Sequence, residues 1–165
     1  MKKKSKLDII IQARIGSSRL KGKVLKNYRK LNLLSILMER LKKCKNVNDI
    51  IICTTNLKED NKMAKFCKKK NIKFFRGKKN DVLSRYYNCT LDLNSNDTIT
   101  RVTGDNIFPD GKFIKKALEI FYKKKLEKRF DIIFTGSFLR LNLLNLIKGN
   151  PYPSNIFSLS ISLSE

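Results

Sequence analysis

The run Leu7–Gln12, LDIIIQ, sets the strongest constraint on how this chain can fold. Three consecutive β-branched isoleucines point to both sides of an extended strand, so neither face can look into water. Strands of that kind belong to parallel sheets covered by helices. Similar runs recur at Asp49–Thr54 (DIIICT), Ile72–Phe75, Thr98–Val102 and Phe130–Thr135 (FDIIFT). Between them lie segments with apolar residues at helical spacing. These are 33–44 with Leu34, Leu37, Met38 and Leu41, and 59–70 with Met63, Phe66 and Cys67. A third runs from Asp81 to Leu91 with Asn80 as N-cap, and a fourth over 112–127 with Phe113, Ala117, Leu118 and Phe121 on one stripe. The alternation predicts an α/β fold of βαβ units with right-handed crossovers: a mostly parallel sheet with helices on both faces.

Past Thr135 the pattern weakens. Residues 136–149 carry Leu139, Leu141, Leu143, Leu144, Leu146 and Ile147, which suit either a helix or a loosely packed apolar segment. The last stretch, PYPSNIFSLSISLSE, alternates Ser with Ile or Leu, as a terminal strand or a frayed tail would. The reading is thus an α/β domain over 1–135 and an atypical tail over 136–165.

Several function classes drop out on composition. A chain of 165 residues, 41% hydrophobic and 31% charged, can bury one core and is not a disordered polymer. No apolar run nears the roughly 20 residues that span a bilayer. The start, MKKKSKLDIII, is not read as a signal peptide, because its apolar stretch ends at Gln12 and Arg14. There is no histidine, which removes nucleophilic triads built on an imidazole base. Cys44, Cys53, Cys67 and Cys89 show no CxxC spacing and propose no zinc site; they read as buried reduced thiols of a cytoplasmic protein.

The formal net charge of +23 leaves a basic nucleic-acid-binding module as a competing reading. The lysine runs at 42–43, 68–70, 115–116 and 123–125 fall on predicted helices, where they form solvated faces. Folds that bind RNA interleave exposed aromatics with basic residues. Here Phe74, Phe75, Phe121 and Phe134 occupy predicted core positions, which counts against that module.

Ligands of open α/β sheets bind at the carboxyl ends of the strands. The loop after the first strand holds Ala13, Arg14, Gly16, Ser17, Ser18, Arg19, Gly22 and Lys23. Glycines bring backbone N–H groups close to an anion, and guanidinium and ammonium groups neutralise phosphate. The alternative is an ordinary basic surface loop. The spacing is neither that of a Walker A loop, since Val24 stands where Ser or Thr is required, nor GxGxxG. After the fourth strand, VTGDNIFPD places Asp105 beside Gly104. That carboxylate suits Mg²⁺ on triphosphate oxygens, and equally a turn or helix-capping aspartate. Asp110 reads as the cap of the following helix.

Together these segments carry a resemblance. ARIGSSRLKGKVL resembles the ARxxSxRLPGKxL signature of the cytidylyltransferases that activate sugar acids, such as acylneuraminate and KDO cytidylyltransferases. It is most similar to the SpsF-like branch, linked with spore-coat and surface polysaccharide biosynthesis. CTTNLKED, FFRGKKNDVLSRYY and RVTGDNIFPD follow in that branch's order, over roughly residues 7–135. The resemblance implies a Rossmann-like nucleotide-diphospho-sugar transferase fold and transfer of CMP from CTP to a sugar acid or related sugar. By motif, Ala13, Arg14, Gly16, Ser17, Arg19 and Lys23 would hold the triphosphate. Thr54, Thr55, Asp81 and Arg85 would lie around the cytidine, Gly104 would belong to the nucleotide-binding set, and Asp105 would bind Mg²⁺. Arg14, Lys23 and Asp105 would be the catalytic set.

Two departures shape the expectation. Lys21 replaces the signature's proline. Family members also run well beyond this length, and their later part supplies a second metal-binding carboxylate, sugar contacts and homodimer contacts. Glu165 is the one acidic residue here after Asp131. The resemblance therefore implies a C-terminally truncated member that binds CTP and transfers weakly or not at all.

Overall fold

The computed structural model describes residues 7–16, 21–45, 47–92, 98–108 and 110–123, with backbone alone at 120–122, and the backbone of 132–135 and 156–159. Its elements are β1 (Leu7–Gln12), β2 (Asn27–Tyr28), β3 (Leu31–Asn32), α1 (Leu33–Leu41), β4 (Val47–Thr55), α2 (Asn61–Lys69) and β5 (Phe74–Gly77). They continue with α3 (Val82–Cys89), β6 (Thr98–Thr103), α4 (Gly111–Lys123), β7 (Ile132–Thr135) and β8 (Ile156–Leu159). Short 3-10 turns cover Lys23–Leu25 and Lys58–Asp60.

Six strands form one sheet in the order β5-β4-β1-β6-β8-β7, and every neighbouring pair is parallel. The expected α/β fold with a parallel sheet is what the chain adopts. β2 and β3 pair antiparallel in a separate small hairpin that the strand pattern did not predict. Ile9, Ile10 and Ile11 are each fully buried, as their run requires. Burying such a side chain contributes about 2 kcal/mol relative to exposure.

β1 divides the interior in two. Leu7, Ile9 and Ile11 pack with Leu34, Leu37, Met38 and Leu41 of α1, with Met63 and Cys67 of α2, and with Ile114 of α4. On the opposite face Ile10 packs with Ile51, Cys53, Ile99, and Tyr86 and Cys89 of α3. All four cysteines are free and buried, as expected. The lysines at 42–43, 68–70, 115–116 and 123 are exposed, also as expected. Phe74 packs against the first cluster and Phe75 against the second. The side chains of Phe121 and Phe134, and residues 136–149, lie outside the described residues.

Three local expectations shift. On α4 the inward stripe is the buried Ile114 with half-buried Ala117 and Leu118, while Phe113 is 41% exposed. One position on a helix turns a side chain by about 100°, so the stripe's phase cannot include both neighbours. The cap of α3 is Asp81, whose carboxylate accepts the Ser84 N–H at 2.8 Å, and Asn80 is exposed beside it. The third strand begins at Phe74, because Asn71 takes a left-handed conformation (φ 51) and Ile72 donates back to the Cys67 carbonyl as α2 ends.

Candidate functional site

The chain runs from β1 outward through β4 to β5, then returns to place β6 on the other side of β1. Strand order therefore reverses at β1, and the loops leaving β1 and β6 meet at their carboxyl ends, where a crevice opens in folds of this kind. Asp105 and Lys23, 82 residues apart, join there: Lys23 Nζ donates to Asp105 Oδ2 at 2.5 Å.

The β1 loop is built to present Lys23. Ala13 is buried at its start and Arg14 is exposed. Gly22 sits at φ 71, a left-handed conformation that glycine adopts without steric strain, and its N–H reaches the Ile15 carbonyl at 2.8 Å. The 3-10 turn that follows buries Val24 and leaves Lys23 facing Asp105. Ser17 and Arg19 lie outside the described residues.

On the β6 side, Gly104 donates to the Gln12 carbonyl at 2.8 Å. A Cβ there would stand 2.8 Å from the Ala13 Cβ and 3.2 Å from the Gln12 carbonyl oxygen, so a side chain would push the two loops apart. Asp105 follows in a turn in which Asn106 donates to the Thr103 carbonyl. Burial pushes the Asp105 carboxyl up. The Lys23 ammonium, helped by local backbone and Thr103 bonds, outweighs it and holds the carboxyl below its ordinary 3.8.

The end of β4 forms a third wall. Thr54 is fully buried, and its hydroxyl has no hydrogen-bond partner among the described residues. Thr55 gives both its N–H and its hydroxyl to Asp60, whose other oxygen takes the Ile15 N–H at 2.6 Å. Arg76 donates to the carbonyls of Thr55 and Leu57 at 2.9 and 3.0 Å. Asp81 caps α3 with one oxygen. Arg85 is 2% exposed and donates to the Lys78 and Lys79 carbonyls, shaping the loop between β5 and α3.

The structure thus brings Ala13, Lys23, Gly104 and Asp105 around the junction of two loops, sets Gly16 against Glu59 of the turn after β4, and places Thr54 and Thr55 at the neighbouring strand end. Asp81 and Arg85 order the next loop along. Asp60 and Arg76 were passed over in reading the motifs. The available signal for Asp60 was an acidic residue just before an amphipathic helix, and that pattern reads as a cap.

Among the described residues no three Asp, Glu or Cys side chains gather to hold a metal ion. Asp105 is a single partly exposed carboxylate at the loop junction, a hard oxygen donor of the kind that suits a divalent cation. No helix among the described residues is long and apolar enough to cross a membrane.

Residues 9–148 match the cytidylyltransferase family model. An uncharacterized protein of Methanocaldococcus jannaschii is 43% identical over 130 residues, covering 79% of this chain and 51% of that protein. The spore coat polysaccharide biosynthesis protein SpsF of Bacillus subtilis is 32% identical over 117 residues, covering 68% and 48%. The chain thus spans about half the length of these curated relatives. Among solved structures, a cytidylyltransferase from Leptospira borgpetersenii superposes with a TM-score of 0.67 at 24% identity, over 96% of this chain and 76% of that one. CMP:2-keto-3-deoxy-manno-octonic acid synthetase, complexed with CTP, does so with 0.60 at 20% identity, over 73% and 49%. At these identities the structures bear on the fold alone.

Proposed function

This chain belongs to the cytidylyltransferase family, and from that premise we propose that it binds CTP with Mg²⁺ and transfers CMP to a sugar acid or related sugar for surface polysaccharide biosynthesis. The observation that carries the reading is the Lys23–Asp105 pair, a phosphate-seeking cation and a metal-seeking carboxylate on the two loops that flank the strand-order reversal. Membership of the cytidylyltransferase family supports the donor, and the likeness to the spore coat polysaccharide biosynthesis protein of Bacillus subtilis supports the pathway class.

In this reading Arg14, Ser17, Arg19 and Lys23 receive the triphosphate, with backbone N–H groups of the loop adding donors. Thr54, Thr55, Asp81 and Arg85 shape the cytidine side. Asp105 would hold Mg²⁺, which would supply neutralisation of phosphate charge. Lys23 then exchanges Asp105 for phosphate oxygen. The acceptor hydroxyl oxygen forms a bond to the α-phosphorus, the bond to the bridging oxygen breaks, pyrophosphate leaves, and the hydroxyl proton passes to water. The side chains contribute placement and charge neutralisation, and no imidazole is needed.

The decisive measurement is thermal stabilisation by CTP, ATP and GTP with and without Mg²⁺. Selective Mg²⁺-dependent stabilisation by CTP is expected, about 2.7 kcal/mol at a hundredfold excess over Kd. Absence of a shift with every nucleotide, together with salt-sensitive RNA binding, would sink the reading in favour of the nucleic-acid module. Pyrophosphate release on adding a sugar acid measures transfer separately from binding.

A further inference from the structure

We infer that Asp60 is a positioning residue for the phosphate-binding loop, an inference that rests on the nucleotide reading above. Asp60 is fully buried and occupies the N-cap position of α2, where a carboxylate ordinarily accepts an N–H of its own helix. It makes no such cap bond. Oδ1 instead accepts the Ile15 N–H at 2.6 Å, and Oδ2 accepts the Thr55 N–H at 3.3 Å and the Thr55 hydroxyl. No ion pair to Asp60 is present among the described residues. Three donors and the positive end of α2 hold its charge.

A buried carboxylate without a cation is costly, so its place is explained by what it orders. Ile15 lies between Arg14 and Gly16 and is pinned twice: its N–H by Asp60 and its carbonyl by the Gly22 N–H at 2.8 Å. The entrance and exit of the loop therefore close on one residue, which Asp60 fixes to the end of β4. Thr55, expected near the cytidine, gives both polar groups to the same carboxylate and so acts through it. Arg14, Gly16 and Lys23 keep their spacing only while this brace is intact.

An asparagine at 60 keeps the shape and the acceptor for Ile15 but turns an N–H₂ toward the Thr55 donors, leaving a buried donor unmet. The test compares wild type, Asp60→Asn and Thr55→Ser by ligand-free amide hydrogen exchange, melting temperature and CTP affinity in Mg²⁺. Asp60→Asn should speed exchange over 14–22 while β1 and β4 stay protected, and should weaken CTP binding about tenfold. Thr55→Ser, which retains the hydroxyl that Asp60 accepts, should keep the wild-type ligand-free exchange over 14–22. Wild-type exchange over 14–22 in Asp60→Asn overturns the brace, and faster exchange with unchanged CTP affinity overturns the positioning role. Should Asp60→Asn not fold, Thr55→Val removes one donor and leaves the carboxylate, and the same comparisons apply with a smaller change. A wild type that binds no CTP defeats the nucleotide reading, whereas the ligand-free exchange still decides the brace.

Discussion

Lys23 and Asp105 form their contact across 82 residues of sequence, and its chemistry sets two expectations. Asp105 is held below its ordinary value because Lys23 outweighs the upward push of burial. Removing the ammonium in Lys23→Ala leaves burial unopposed by it, so the Asp105 carboxyl should titrate higher than in wild type, as carboxyl NMR would show. A depressed folded value stabilises above the unfolded one: the contribution is present above about pH 4 and lost as pH falls through the depressed value. Asp105→Asn should accordingly flatten the acid limb of the stability curve, and an unchanged limb would mean the pair adds nothing. Gly104→Ala is the steric counterpart. With the Ala13 Cβ at 2.8 Å and a backbone carbonyl at 3.2 Å, the two loops must part. A loss of about 1–3 kcal/mol is expected in urea unfolding, together with weaker CTP binding.

α3 shows how far a single element can be read. Its amphipathic character is evident in sequence, but its cap is not, since Asn80 and Asp81 are equally suited by type. The choice depends on which carboxylate or amide reaches the Ser84 N–H, and Asp81 does so at 2.8 Å. Asp81→Ala should destabilise by about 1 kcal/mol in denaturant unfolding, whereas Asn80→Ala should be near neutral. In α1 the inward residues Leu34, Leu37, Met38 and Leu41 all fit one helical phase, so spacing along the sequence identifies each of them. α4 differs, because Phe113 and Ile114 are both large and apolar and only the packed neighbour decides between them. Ile114 meets the core shared with α1 and α2, and Phe113 follows the capping Asp110, to which its N–H is bonded at 2.9 Å.

For the whole molecule the formal charge is +23, and among the described residues the lysine runs at 42–43, 68–70 and 115–116 are exposed, with ion pairs such as Lys73–Asp49 offsetting little of it. Like-charge repulsion should make the fold more stable as salt rises. The melting temperature is expected to climb by several degrees toward about 0.3 M NaCl, where screening acts within less than about 10 Å. A melting temperature that is flat or falling with salt would show the lysines to be already compensated. The apolar runs and helical stripes by themselves determined the α/β class, the parallel pairing and most of the core, because burial of β-branched runs and of 3.6-period stripes depends on local pattern. The residues on which the proposed phosphate chemistry of the signature loop rests are likewise set by the sequence. Tertiary structure alone decided which carboxylates face which loops: that Asp105 meets Lys23, and that Asp60 leaves its own helix uncapped to hold Ile15 and Thr55. Those pairings follow from β6 returning to β1's far side and from α2 starting beneath the loop, and such long-range placements leave no periodic trace along the chain.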